Sequence, residues 1–300
     1  MVYRCCSRSR ASAQRNSRTF RVGRPKPTEA VVQTDVRRAL SEDVDSGDCT
    51  AALVPADARL DTRVICRETA VLAGRPWFDE TFRQLDCKIA IEWSVDDGAA
   101  IGPDQEVCRL HGPARAVLTG ERTALNFLQT LSGTATRTRE YVDAIAGTGA
   151  EILDTRKTLP GLRHAQKYAV LCGGGRNHRI GLWDAILVKE NHIAAAGSIP
   201  AAVARARQDQ PELLLEVEVE TLAQLDQAFE SGAQRVLLDN FPIERLREAV
   251  KRYKGRIGLE ASGGIELDTI RVVAETGVDF ISTGDITKSV RAVDFSMRFA

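Results

Sequence analysis

Between residues 150 and 285, groups able to do chemistry recur at the ends of short apolar runs. EILDTRKT finishes on Asp154, Thr155, Arg156 and Lys157, AILVKENH carries Lys189, and LLLEVEVE carries Glu216 and Glu218. RVLLDNF ends on Asp239, IGLEASGG on Ser262, Gly263 and Gly264, and DFISTGD on Ser282, Thr283, Gly284 and Asp285. The early part of this series is basic, and Arg163, His164, Lys167, Arg176, His178 and Arg179 add to it. Guanidinium forks match carboxylates bidentately and lysine supplies a compact charge, so such a density calls for a ligand with several negative charges. Glu216 and Glu218, two apart, share one side of a strand. With Asp239 they offer strand-end carboxylates beside a polyanion, a setting that suits Mg²⁺. The small loops ASGGI and STGD leave backbone N–H groups free for phosphate. No Walker-type GxxxxGK[ST] is present. Lys189 is open to three roles: Schiff-base nucleophile, ion-paired lysine, or anion anchor. The stretch GGGRNHR at 173–179 is likewise open to a nucleic-acid loop, a nucleotide cradle or a site for a small polyanion.

Elements that position these groups follow from the periodicity. The six apolar runs alternate with helical stretches, LRHAQKYAVL, IPAAVARARQD, TLAQLDQAFESG, IERLREAVKRY and LDTIRVVAETG, which is the pattern of parallel βαβ units. The runs are apolar along their length, as strands covered by helices are. With no GxGxxG after the first strand, a (β/α) barrel is favoured over a doubly wound sheet, and its strand ends converge on one mouth. From Thr28 to about Ser132 the pattern is mixed. A helix, EAVVQTDVRRALSEDV, precedes strand-like RVICRE and QEVCRLHG, separated by turns such as DSGD and DDGAAIGPD. A long amphipathic helix is predicted to start near Thr119, with Leu125, Leu128 and Leu131 on one face. That start puts Arg122 in the first turn, where a base opposes the helix dipole.

Charge excludes some partners. Lys plus Arg equals Asp plus Glu at 41 each over 300 residues, but residues 1–27 hold eight bases and no acid. The body is therefore acidic, a poor start for a nucleic-acid binder. The Arg- and Ser-rich tail resembles an organellar transit peptide in composition but has no amphipathic stripe, and residues 1–27 are read as a disordered basic extension. No apolar run approaches a membrane span. Seven cysteines without a CxxC pair read as reduced thiols of a cytoplasmic protein.

The motifs GERTALNFLQTLSGTAT, DTRKTLPGLRHAQKYAVLCGGGRNHRIGLWDAILVKENH, EVEVET, VLLDN, ASGGI and ISTGDITKSVRAVDFSM resemble those of the quinolinate phosphoribosyltransferases, as do LSEDVDSGDCTAALVP and ETAVLAG upstream. The resemblance runs from about residue 30 to 300. It implies an α/β protein with an N-terminal α/β sandwich domain (28–132), an incomplete (β/α) barrel (133–288) and a C-terminal segment (289–300) returning to the first domain. It also implies a homodimer with shared sites, Mg²⁺ as cofactor, and quinolinate and phosphoribosyl pyrophosphate as substrates, with neither nucleic acid nor membrane as partner. The implied reaction is phosphoribosyl transfer to the quinolinate nitrogen followed by loss of the 2-carboxylate, in de novo NAD synthesis. By motif, Arg122, Thr155, Arg156, Lys157, His178 and Arg179 would bind substrate, most of them through the quinolinate carboxylates. Lys189 would act near the reacting centre and the diphosphate. Glu218 and Asp239 would hold Mg²⁺ and the ribose hydroxyls, and Ser262, Gly263, Gly264, Ser282, Thr283 and Gly284 the 5′-phosphate. Two rivals share these motifs: a transferase for another pyridine carboxylate, and a non-catalytic nucleotide-binding protein on the same fold. Asp285 in STGDITKS departs from the family pattern, which more often has an uncharged residue there; a carboxylate beside a phosphate loop costs affinity unless it points away.

Overall fold

The computed structural model describes residues 27–299, so the basic tail expected for 1–27 lies, but for Pro27, outside the described residues. Helix α1 (Glu29–Val44) is capped by Thr28, whose side chain accepts from the backbone N–H of Val31. Strands β1 (Arg59–Cys66) and β2 (Ala70–Val71), helix α2 (Arg75–Leu85), then β3 (Ala90–Trp93), β4 (Ala100–Ile101) and β5 (Glu106–Pro113) complete the first half. Helix α3 (Ala114–Ala144) leads into the second, which alternates β6 (Glu151–Leu153), α4 (Arg163–Cys172) and β7 (Ala185–Val188). It continues through α5 (Glu190–Ala196), α6 (Ile199–Asp209), β8 (Leu214–Val219), α7 (Leu222–Glu230) and β9 (Arg235–Asp239). It closes with α8 (Ile243–Tyr253), β10 (Gly258–Ser262), α9 (Ile270–Ala274), β11 (Phe280–Ser282), α10 (Asp285–Lys288) and β12 (Phe295–Phe299).

All six strands anticipated after residue 150 form, and they make one parallel sheet in the order β6-β11-β10-β9-β8-β7. Beyond β6 the chain at Arg176 adds only a single parallel bridge to Leu153, so the barrel stays incomplete on that side. Strand alternation sorts the side chains. Leu215, Val217, Val219, Val236, Leu238, Leu259, Ala261 and Ile281 pack outward into the core shared with the helices. Their neighbours Glu216, Glu218, Arg235, Asp239, Glu260, Ser262 and Ser282 are left on the other face, inside the barrel.

Preceding this, a four-stranded antiparallel sheet in the order β12-β1-β5-β3 covers a separate core with Phe78, Phe82, Leu125 and Leu128. Strand β12 joins it by pairing Phe295 with Cys66 and Phe299 with Thr62, which brings the chain end back to the first domain. Helix α3 contributes to all three apolar clusters, through Leu125 and Leu128, through Phe127 and Leu131, and through Tyr141, and so welds the two halves. The anticipated division at 132/133 falls inside this continuous helix.

The start of α3 corrects the sequence reading. The helix begins at Ala114, not near Thr119, which places Arg122 in its third turn and removes the dipole argument. Thr119 and Gly120 look like an N-terminal signal, but Gly120 is a packing residue. A Cβ there would come within 2.7 Å of the Phe82 ring on α2.

Candidate active site

Where the six strands end, a cavity of about 470 Å³ opens, within the range of small-molecule sites. Its walls include Thr155, Arg156, Lys157, His178, Arg179, Lys189, Glu218, Asp239, Ser262 and Ser282. The strand-end groups read from sequence thus converge on one mouth. Leu187, Leu237 and Glu260, which the sequence reading did not single out, line it too.

The basic side is built on a buried network. Asp154 is fully buried and ion-pairs with Lys167. Its carboxylate also accepts from the Asn177 amide at 2.7 Å and from the backbone N–H of His178 at 2.9 Å. Lys167 Nζ donates to the His178 carbonyl at 2.9 Å. Segment 177–179 is therefore held from three directions, and His178 and Arg179 are aimed at the cavity. The glycines before it serve packing rather than ligand binding. A Cβ on Gly173 would meet the Ala135 carbonyl at 2.5 Å, one on Gly175 would meet Thr138 at 2.8 Å, and Gly174 adopts φ +92°. The loop needs glycine to lie against α3.

Of nine bases expected at the mouth, five line it and four do not. Lys167 is spent on Asp154, Arg176 pairs with Glu151 at 2.6 Å, and Arg163 donates to Thr158 Oγ1 and to the Ile180 and Arg156 carbonyls. His164 is outside the cavity wall as well. Arg156 and Arg179 remain as a like-charged pair. Burial, with Arg156 as the next cause, holds the Arg179 guanidinium below its ordinary pKa. Two such cations in one cavity favour a ligand with two carboxylates.

Opposite them lie the acids. Lys189, at the N-terminal end of α5, ion-pairs with Glu218. Burial raises the Glu218 pKa, and the nearby Asp239 and Glu190 charges add to this against the pull of Lys189. Asp239 accepts from the Asn240 amide at 2.8 Å. Glu218 and Asp239 thus form a two-carboxylate edge on an otherwise basic cavity, a donor set that fits Mg²⁺.

Two glycine-containing loops close the far side. Gly263 has φ +101°, and a Cβ there would lie 2.2 Å from Asn240 Oδ1, so only glycine fits. Gly264 is also left-handed at φ +57°. Thr283 is buried with its hydroxyl donating to the Ile265 carbonyl at 3.2 Å, so it ties the two loops together. Gly284 leaves room for the Lys157 stem, whose Cδ would be 3.0 Å from a Cβ. Asp285 points away from the cavity, into α3. It accepts from Arg137 at 2.8 Å and from the Tyr141 hydroxyl at 3.0 Å. The doubt raised by this residue is thereby removed.

Of the anticipated site residues, Gly263, Gly264, Thr283 and Gly284 follow the wall residues Ser262 and Ser282 without lining the cavity themselves, and Arg122 lies apart from it. This arginine lies on a separate cavity of about 640 Å³, with Asp43, Asp48, Leu53 and Thr119. Arg122 is exposed and, among the described residues, makes no ion pair or hydrogen bond. Arg235, at the start of β9, and Glu260, in the middle of β10, do not stand at the strand ends that mark the mouth, and a polar residue there gives no sign of which face it takes.

Comparison with known proteins shows the family of the chain. The quinolinate phosphoribosyl transferase N-terminal domain model matches residues 48–132, and the C-terminal domain model matches 134–298. The chain is 43% identical over 272 residues to the nicotinate-nucleotide pyrophosphorylase [carboxylating] of Mycobacterium leprae, covering 87% of this chain and 95% of that one. To the probable enzyme of the same name from Bacillus subtilis it is 42% identical over 257 residues, 85% of this chain and 89% of that one. The solved nicotinate-nucleotide pyrophosphorylase of Francisella tularensis superposes with a TM-score of 0.89 at 45% identity, covering 92% of this chain and 98% of that one. The chain belongs to the quinolinate phosphoribosyl transferase family.

Proposed function

We propose that this protein transfers phosphoribose from phosphoribosyl pyrophosphate to the ring nitrogen of quinolinate and then releases the 2-carboxylate. The products are nicotinate mononucleotide, pyrophosphate and CO₂. The observation that carries this reading is the division of one cavity into a cationic wall (Arg156, Lys157, Arg179), a carboxylate edge (Glu218, Asp239) and the strand ends Ser262 and Ser282, each of which leads into a glycine loop. That division matches a pyridine dicarboxylate, a ribosyl unit and a 5′-phosphate.

In this reading Arg156, Lys157 and Arg179 take the two quinolinate carboxylates, with Thr155 and His178 beside them. Ser262, Gly263, Gly264, Ser282, Thr283 and Gly284 surround the phosphate, chiefly through backbone N–H groups. Mg²⁺ held by Glu218 and Asp239 would supply charge neutralisation for the diphosphate. Bond breaking at the ribose C1 sends an electron pair to the departing diphosphate and develops oxocarbenium character, so stabilising the leaving charge matters more than a strong nucleophile. Lys189 is placed to meet that charge once it leaves Glu218. The quinolinate nitrogen then bonds to C1. Loss of CO₂ leaves its electron pair at C2 of the pyridinium ring, which acts as the electron sink, and C2 takes up a proton.

Arg122 lines a different cavity of its own chain, and the reading includes a homodimer in which the partner's copy completes the site. Among the described residues no helix is long and apolar enough to cross a membrane. A cytoplasmic setting fits the five free thiols of the described residues. Incubating the protein with quinolinate, phosphoribosyl pyrophosphate and Mg²⁺ and resolving the products by mass tests the reading. Nicotinate mononucleotide is expected, and its absence from active, folded protein overturns it.

A further inference from the structure

At the floor of the mouth four buried groups meet, of which only His178 has been given a place beside the substrate above. Glu216 of β8 stands in register with Arg235 of β9, and Arg235 Nη1 lies 3.0 Å from Glu260 Oε2 on β10. The Arg235 guanidinium also stacks 4.8 Å from the Phe280 ring. Into this floor reaches His178, with Nε2 at 2.8 Å from Glu216 Oε2 and 3.6 Å from Glu260 Oε2. All four residues are at least nine-tenths buried.

The other ring nitrogen settles what this contact is. The backbone N–H of Arg179 donates to His178 Nδ1 at 2.7 Å. An accepting Nδ1 places the proton of the neutral ring on Nε2. His178, Glu216 and Glu260 have the grouping of a metal site, but Nε2–H has no lone pair to give a cation. It is a donor facing two carboxylates, and with Arg235 it supplies the positive side that buried acids require. Nδ1 is thus engaged by a hydrogen bond inside the protein, while Nε2 is buried against the Glu216 carboxylate at ion-pair distance without an aligned hydrogen bond, although the ring borders the cavity.

We propose that Glu216 is a positioning residue: by holding the Nε2–H edge of His178 on the barrel floor, it fixes the 178–179 peptide and so places the Arg179 guanidinium in the mouth. This rests on the mouth being the quinolinate site. His178 then meets substrate through ring carbons only, while Arg179 makes the charged contact. Without the Glu216 charge the ring turns, the tie from the Arg179 N–H to Nδ1 is lost, and Arg179 moves away from its like-charged neighbour Arg156.

The chain has four histidines, so ¹⁵N-histidine labelling with His178→Gln for assignment gives a resolved probe. The free wild-type protein is expected to show a protonated Nε2 and an unprotonated Nδ1 at His178, unchanged when quinolinate is added. In Glu216→Gln that pattern is expected to be lost. The KM for quinolinate should rise ~10-fold, with kcat and the KM for phosphoribosyl pyrophosphate within ~3-fold. A shift of the wild-type Nε2 signal on adding quinolinate makes His178 a direct ligand and overturns the proposal. So does a Glu216→Gln protein that loses kcat with the quinolinate KM unchanged. If that variant does not fold, the wild-type spectra decide. If wild type forms no product from quinolinate, it is the proposed reaction that fails, whatever the spectra show.

Discussion

Lys189 at the start of α5 and Glu218 on β8 form an ion pair across the mouth. The pair joins the group read as a diphosphate anchor to a carboxylate read as a metal ligand, so substrate and metal must part them. Lys189→Ala is expected to lower kcat about 10²- to 10³-fold, the scale of losing one charge-stabilising donor. Lys189 is 43% exposed, so the melting temperature should stay within about 2 °C. Borohydride should trap no adduct at Lys189. A trapped adduct would support the Schiff-base role.

Arg122 lies on its own cavity, apart from the barrel mouth. If the partner's Arg122 completes each site, Arg122→Ala and Lys189→Ala are each nearly inactive alone. Mixed and allowed to exchange subunits, half of the dimers become mixed, each with one intact site, and activity should approach ~25% of wild type. No recovery despite demonstrated exchange contradicts a shared site.

Asp154 and Lys167 form a buried pair that holds the 177–179 segment. Asp154→Ala leaves a buried ammonium uncompensated and is expected to cost about 3–5 kcal/mol. By calorimetry the melting temperature should fall by on the order of 10 °C. A change of only a degree or two would show that the network does not support the loop.

Asp285 is tied to Arg137 and Tyr141 rather than to the phosphate loop. Burial alone would raise its pKa, but Arg137 and the Tyr141 hydroxyl outweigh burial and hold the carboxyl below the ordinary aspartate range. A depressed carboxylate contributes stability above the unfolded pKa and loses it as pH falls through the folded value. Asp285→Asn should therefore melt below wild type at pH 7, with the gap closing as pH drops below the ordinary aspartate range. The KM for phosphoribosyl pyrophosphate should not change. A raised KM would place Asp285 at the phosphate after all.

Much of the barrel was legible because an apolar strand followed by an amphipathic helix leaves two periods in the sequence, and the strand ends announce themselves by a change to polar residues. The mouth was legible for the same reason. The start of α3 was not, because Gly120, required by the Phe82 ring, imitates a helix boundary. Nor was the fate of Lys167, Arg176 and Arg163. Their partners Asp154, Glu151 and Thr158 are set by tertiary folding, and composition counts a base the same whether it faces a ligand or a buried acid. Arg235 at the start of β9 and Glu260 in the middle of β10 carry the floor of the site from positions where sequence alone does not mark the inward face.

Carboxyl release tests the proposed reaction most directly. With quinolinate labelled at the 2-carboxylate, labelled CO₂ and pyrophosphate should appear one to one, and only when phosphoribosyl pyrophosphate and Mg²⁺ are both present. Nicotinate in its place should give little pyrophosphate and no CO₂. Pyrophosphate formed faster from nicotinate than from quinolinate, or without labelled CO₂, would contradict a decarboxylating transferase.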